Sequence, residues 1–410
     1  MTALEQLTRA HVLFLNWRDP SHPQAGGGEV YCYEIARRFA EAGAHVSLVA
    51  ARPPGAAPMG SEDGMQIHRV GGTYGVYLAA AWHLLRRRRS YDAVIDCQNG
   101  IPFFSPLFMP GWVADICVIH HVHQHQFDFR FRWPMNVLGR IMEKQISRVV
   151  YRRRPVVVVS PSTREGARRD LGFANPIYIV PNGSPGGPLG RVPRSETPLL
   201  AVVSRLMPQK RVDLLIRALP ELARHIPDVR VDICGDGAEL PRLRVLADEL
   251  GVHHMVRFHG RVTEEFKQEV LARAWLGVVP SMAEGWGLTV IEANAVGTPA
   301  LAYDVPGLRD SIQHGRTGWL LAPGKNLAQG MADALNELGV GAVREQMADQ
   351  CRAWTDGFSW DHSAERLACV VLQEMRRAHR HRRTRRQSSD LSVIAEFQDT
   401  DGTGMEHAMH

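Results

Sequence analysis

The stretch Ser281–Pro299, SMAEGWGLTVIEANAVGTP, decides the reading of this chain. An apolar run, Leu276–Val279, comes just before it and reads as a buried strand. A loop carrying Gly285 and Gly287 follows, and apolar spacing from Thr289 to Ala295 then predicts a helix. Pro299–Tyr303 is the next strand. Strand, glycine loop, helix, strand is a βαβ unit. Its two carboxylates, Glu284 in the loop and Glu292 one turn into the helix, can face one crevice. The amides of Leu288, Thr289 and Val290 open the helix, where free donors and the helix dipole favour a phosphate. Carboxylates beside such a place accept hydrogen bonds from sugar hydroxyls. The plainer alternative is a capping acid and a solvated helix-face glutamate.

Upstream, VVSRLMPQKRVDLLIRA (Val202–Ala218) places Arg205 and Lys210 between the strand Leu199–Val203 and the helix Arg211–Ala223. Both cations follow the carboxyl end of a strand, where open α/β sheets bind ligands. Arginine can grip a diphosphate in two places and lysine acts as a point charge. Two solvated surface cations are the bland alternative. Val229–Cys234 and Val256–Phe258 add strands, and Ala238–Leu250 a helix.

Farther back, residues 181–198 hold five prolines and four glycines, a composition that sustains neither a helix nor a central strand. They read as a linker. Before it a second α/β pattern starts with the strand His11–Asn16. The loop WRDPSHPQAGGGE follows, then the helix Val30–Ala42 and the strand His45–Ala50. Ala93–Asp96, Ile116–His120 and Val156–Ser160 are further strands. The Gly26–Gly27–Gly28 loop allows close backbone approach to a ligand but is not GxGxxG, so the dinucleotide fingerprint is absent. IHHVHQHQF (Ile119–Phe127) has four histidines, with Asp128 nearby. It lacks HExxH and a spaced Cys/His partner, so a strand-end histidine facing a cleft is favoured over a metal site.

Of the 410 residues 45% are apolar and 22% charged, which excludes global disorder and fibrous classes. No run reaches the ~18 apolar residues of a membrane span. The N-terminal stretch lacks the pattern of a secretory leader. Six scattered cysteines without CxxC point to reduced structural thiols in a cytoplasmic setting. The net charge of +5 rests mainly on seven arginines in Arg376–Arg386. This tail, 376–410, is expected to lack fixed structure. Nothing aromatic interleaves it, so no nucleic-acid partner is expected. Arg86–Arg89, beside the apolar helical stretch Tyr74–Leu85, leaves peripheral contact with an anionic membrane open.

Taken in order, the glycine loop, the strand-end histidine, SRLMPQK, ICGDGAEL and EGWGLTVIEANAVGTP resemble the retaining GT-B glycosyltransferases of family four, whose signature E-x7-E falls on Glu284 and Glu292. The resemblance spans residue 11 to about 375. It implies an α/β fold of two facing Rossmann-like domains with a cleft between them. Residues 1–184 would form the acceptor domain, completed by a C-terminal helix at about 358–375, and 185–357 the donor domain. It implies a nucleotide-diphosphate sugar donor, a hydroxyl acceptor and no cofactor or metal. Arg205 and Lys210 would hold the diphosphate, and Gly287, Leu288 and Thr289 would line it. Glu292 would take the ribose hydroxyls and Glu284 the transferred sugar. Gly28 would line the sugar–phosphate cleft. His120, or His121 one residue on, would stand near the sugar. Lys210 is followed by Arg211 where the family commonly has glycine. Rival readings are a nucleotide-sugar binder without transfer, an epimerase, a glycogen-synthase-like polymerase, and an adaptor using the arginine tail.

Overall fold

The computed structural model describes residues 1–22, 25–124, 126–127, 131–184 and 192–400, with backbone alone for 381–400. The first sheet contains β1 (His11–Leu15), β2 (His45–Ala51), β3 (Met59–Glu62), β4 (Met65–Val70), β5 (Ala93–Gln98), β6 (Ala114–Ile119), β7 (Val156–Val158) and β8 (Ile177–Ile179). Its order is β3-β4-β2-β1-β5-β6-β7-β8, parallel except for the β3–β4 hairpin. The second sheet contains β9 (Leu199–Val203), β10 (Arg230–Cys234), β11 (Val256–Gly260), β12 (Leu276–Val279), β13 (Ala300–Tyr303) and β14 (Gly318–Leu321). Its order is β11-β10-β9-β12-β13-β14, parallel throughout.

Both sheets reverse direction of winding beside their first strand. In the first sheet Val12 pairs with Ala93 on one side and Val46 on the other. In the second, Leu200 pairs with Leu276 and Val231. Crevices at the carboxyl ends of strands open at these switch points. They lie between the loops after β1 and β5, and between those after β9 and β12.

The strands are apolar on both faces because helices cover both. Val12, Phe14, Ile116 and Val118 pack toward the helices Gly27–Glu41 and Trp360–Thr400. Leu13, Leu15, Val49 and Val94 pack toward the helix Val76–Arg87.

The C-terminal helix crosses back to the first domain. Trp360 is buried in that domain's core, and the Ser363 hydroxyl donates to the Pro181 carbonyl at 2.7 Å. Gly183 permits this approach, since a Cβ there would lie 2.4 Å from Trp360.

The sequence reading gave residues 376–410 no fixed structure. Instead the helix continues to Thr400, and 401–410 lie outside the described residues. Arginine is a good helix former, and no glycine or proline interrupts 358–400. Two of the tail's arginines are also used. Arg376 donates to Gln6 Oε1 at 3.0 Å, and Arg377 to Glu374 Oε1 at 2.6 Å.

Candidate functional site

The second-domain half is built from the loops after β9 and β12. The Met282 amide donates to the Gln209 carbonyl at 3.0 Å and ties the loops together. Lys210 Nζ donates to Glu284 Oε1 at 2.5 Å, with both side chains less than one-fifth exposed. Arg211 then takes a left-handed conformation (φ 52°) at the start of the helix Val212–His225. This conformation suits glycine far better than an L side chain.

Gly287 has φ 85° and caps the helix Leu288–Ala295. A Cβ there would sit 2.8 Å from Ser311 Oγ and 2.9 Å from Leu308 Cδ2, so the tight loop needs glycine. The Leu288 and Thr289 amides lie ahead of the first intrahelical bond. The sequence reading also offered the Val290 amide, but that group donates to the Gly287 carbonyl at 2.9 Å. The Thr289 hydroxyl donates to the Val203 carbonyl at 3.2 Å and anchors the turn on β9.

Glu292 is buried, and Lys267 Nζ donates to its Oε1 at 2.8 Å. Lys267 also pairs with Glu264 at 2.6 Å. Burial pushes the Glu292 pKa up against the pull of Lys267. The two carboxylates of the sequence pattern are thus held by different lysines.

The first-domain half corrects one placement. The helix expected from Val30 begins at Gly27, so Gly28 belongs to its first turn rather than to the preceding loop. Glu29 makes the early start possible, because its Oε2 accepts from the Gly26 amide at 2.8 Å. Glu29 is itself buried, which raises its pKa, while Arg205 and Arg18 pull it down.

A Cβ on Gly28 would lie 3.0 Å from Asn99 Oδ1 and 3.3 Å from His120 Cδ2. Asn99 Nδ2 donates to Asn16 Oδ1 at 2.6 Å, joining the loops after β5 and β1. His120 packs edge-on against Tyr31, with ring centroids 4.9 Å apart, and its buried Nε2 has no partner among the described residues. Burial, with His123 nearby, lowers its pKa to about 4.

His121 has a different setting. Its pKa falls to about 3 through burial and the charges of His123 and Lys210, and a hydrogen bond to the Glu284 backbone opposes this. Both histidines therefore stand at the junction, His120 against the first-domain helix and His121 against the Lys210–Glu284 pair. His125 and Asp128 of the histidine stretch lie outside the described residues.

The halves face each other at close range. A Cβ on Gly26 would meet the Arg205 guanidinium at 3.1 Å, and one on Gly27 would meet Leu288 Cδ2 at 3.8 Å. A Cβ on Gly285 would fall 2.0 Å from the His120 carbonyl oxygen. Thr163 Oγ1 donates to the Gly285 carbonyl at 3.2 Å, and the Ser162 amide to Asp310 Oδ2 at 2.9 Å. Two helix N-termini, Gly27 and Leu288, and two cations, Arg205 and Lys210, thus gather at one junction. Such a place holds an anion.

Sequence reasoning missed Lys267. Nothing in its helical segment marks it, since its partner is 25 positions away. It quoted Glu29 only as the end of a glycine loop. The signal available was an acid three positions after Gly26, the spacing of a capping box. Among the described residues no group of His, Cys, Asp and Glu side chains is arranged to hold a metal ion.

Two family descriptions match successive parts of the chain. Residues 25–185 match Glycosyltransferase Family 4, and residues 191–379 match Glycosyl transferases group 1. The chain belongs to this glycosyltransferase family. A D-inositol 3-phosphate glycosyltransferase from Nocardia farcinica is 39% identical over 215 residues, covering 50% of this chain and 43% of that relative. The match thus spans less than half the length of this curated relative.

Among solved structures, a sucrose-phosphate synthase from Thermosynechococcus elongatus superposes with a TM-score of 0.72 at 20% identity, covering 91% of this chain and 99% of that one. The Anabaena protein HepE, in complex with UDP and glucose, gives 0.68 at 17% identity, covering 89% and 100%. These likenesses establish the fold, GT-B. In this chain the junction described above lies between the two Rossmann-like domains of that fold.

Proposed function

We propose that this chain is a retaining glycosyltransferase, moving a hexose from a nucleotide-diphosphate sugar to a hydroxyl acceptor. The acceptor would be a glycan, a glycolipid or a natural product. The observation that carries the reading is the convergence of Arg205, Lys210 and the Leu288 helix start at the second sheet's switch point, facing Gly26–Gly28.

Arg205 and Lys210 hold the donor diphosphate, and the Leu288 and Thr289 amides add donors to it. Gly287 lets the backbone come close. Glu292 takes the ribose hydroxyls by exchanging part of its bond to Lys267. Glu284 keeps Lys210 aligned and contacts the sugar. His120 is neutral at pH 7, and its free Nε2 is available to a sugar hydroxyl. Gly28 leaves room beside it.

In the reaction the bond from the sugar's anomeric carbon to the phosphate oxygen breaks, and a bond to the acceptor oxygen forms on the same face. The acceptor proton passes to the departing phosphate oxygen. Negative charge grows on the diphosphate, where preset cations and amides stabilise it by several kcal/mol. No carboxylate of the junction is assigned as a covalent nucleophile. No cofactor and no metal take part.

The test is a screen of UDP-, GDP- and ADP-sugars for thermal stabilisation and slow hydrolysis, with Glu292→Ala alongside and the anomeric configuration of any product read by NMR. One donor should stabilise the wild type and be hydrolysed, with both effects lost in the variant. An inverted product overturns retention. Donor isomerisation without hydrolysis or transfer supports the epimerase instead. Silence with every donor overturns the transferase reading.

A further inference from the structure

The helix Val76–Arg87 has two apolar faces. Val76, Ala80 and Leu84 are buried against the first sheet. On the outer side Tyr74, Leu78, Trp82 and Leu85 form a stripe at helical spacing, with Leu78 81% and Trp82 58% exposed. The stripe ends in the exposed run Arg86–Arg89, with Arg86 stacked over Trp82 at 4.6 Å.

A second exposed apolar segment lies at 133–149, where Trp133 is 80% exposed and Leu138, Ile141 and Val149 are also exposed. Arg132, Arg148, Arg152 and Arg153 are exposed among and beyond them.

Both segments cover the same face of the first sheet. Leu13, Leu15 and Val94 point toward the helix Val76–Arg87. Register places Val94 beside Asp115, and Asp96 beside Cys117. Cys117 and Ile119 point from that same face into the cluster containing Tyr151, which follows the second segment. Acids are sparse on the outside of this layer: Glu165 and Asp170 lie at its edge, on and after the helix Pro161–Arg169, where both pair with Arg169, and Asp92 is exposed beyond the apolar helix. Residues 71–91, 100–114 and 131–154 contain one carboxylate, Glu143, and it is fully buried.

Two apolar segments with arginines among them and no exposed acid of their own suit an anionic bilayer surface. A partner protein of ordinary composition would place some carboxylates among the arginines, and each would need a hydrogen-bonding match. A lipid headgroup layer meets the charges without fixed geometry. We propose that this face of the first domain docks on an anionic phospholipid bilayer, with Leu78, Trp82, Leu85 and Trp133 inserted at the headgroup boundary and the arginines on phosphates.

The face is mechanically joined to the site. Trp17 Nε1 donates to the Thr73 carbonyl at 2.7 Å, linking the loop after β1 to the start of the apolar helix. Glu143 accepts from the His123 amide at 2.7 Å and from Gln124 Nε2 at 2.6 Å, linking the second segment to the histidine stretch. Docking therefore sets the junction beside the bilayer. The corollary that the acceptor is a lipid-linked hydroxyl rests on the transferase reading, whereas the docking does not.

The test is co-sedimentation of the full chain with phosphatidylcholine vesicles and with vesicles containing phosphatidylglycerol. The expected result is binding to the second kind only, reduced about tenfold or more by 0.5 M salt or by reversing Arg86–Arg89 to glutamate. Leu78→Ser with Trp82→Ser should abolish it, with an unchanged melting temperature, as both positions are exposed. Donor hydrolysis without acceptor should survive in these variants, separating failure of docking from failure of the chemistry. A third variant neutralises the arginines of 380–386. Binding lost in that variant but kept in the others overturns the proposal. So does equal binding to neutral vesicles, or a dimer in sedimentation velocity that the Leu78/Trp82 variant dissolves.

Discussion

The two halves of the junction are constructed differently. The second domain holds Arg205, Lys210 and Glu284 on two adjacent loops and Glu292 on the helix after the second, and two ion pairs stand among them: Lys210 with Glu284, and Lys267 with Glu292. The first domain presents a helix start, a chain of short polar contacts through Asn16 and Asn99, and two neutral histidines. In the proposed reaction the former would recognise a diphosphate by charge. The latter offers shape, neutral hydrogen bonding and one buried acid, Glu29, and would in the proposed reaction face the sugar and acceptor. A donor half made of charge and an acceptor half made of surface should respond differently to substitution.

The largest effect should come from the charged half. Lys210→Ala should lower turnover by about 10²–10³-fold, the range for removing one preset donor to a developing anion, with the fold intact. Steady-state kinetics and circular dichroism check this. A loss below about threefold would place the diphosphate elsewhere. Lys267→Met leaves Glu292 buried without its partner. It should destabilise the second domain by about 3 kcal/mol in denaturant unfolding, whereas a mere surface pair would give under about 1 kcal/mol.

Gly285→Ala probes how the halves meet. Its Cβ would fall 2.0 Å from the His120 carbonyl oxygen, so the domains must part by about an ångström or more. Turnover should fall by about 10²-fold, with little change in the melting temperature of either domain.

The neutral half should be sensitive to pH. His120 and His121 have folded pKa values lowered from 6.5 to about 4 and about 3. The unfolded chain therefore binds the extra protons first as pH falls. Stability from these groups is full above about 6.5 and is lost on acidification toward 4, at about 1.4 kcal/mol per pH unit for each histidine. Replacing both with asparagine should flatten that part of the stability–pH curve. An unchanged slope would show that these rings are not buried neutral.

The smallest effect concerns Arg211. Replacing it with glycine removes left-handed strain and should stabilise the second domain by up to about 1 kcal/mol. Destabilisation would show that its contact with Asp213, at 3.8 Å, outweighs the strain.

The same contrast explains what the sequence disclosed. The donor half was legible because most of its groups lie in two short stretches at strand ends, although the pairing of Lys210 with Glu284, 74 positions apart, comes from β9 and β12 lying side by side. The central strands were legible because both faces are apolar. The β3–β4 hairpin was not, since MGSE is exposed along most of its length and gives no apolar signal. β8 and β14 were not read either: both are part-buried edge strands, whereas the equally short β7 and β12 lie inside their sheets. In the first domain the roles of Glu29, Asn99 and Glu143 depend on partners 3, 83 and 20 positions away. Only the first distance lies within reach of a local pattern.

The proposed reaction requires that cations at the second sheet's switch point hold a nucleoside diphosphate. Calorimetric titration of UDP, GDP and ADP into the wild type and into Arg205→Ala/Lys210→Ala tests it most directly. One nucleotide should bind the wild type, more weakly as salt rises, and its affinity should fall at least about a hundredfold in the double variant. Equal affinity in both proteins would contradict the claim.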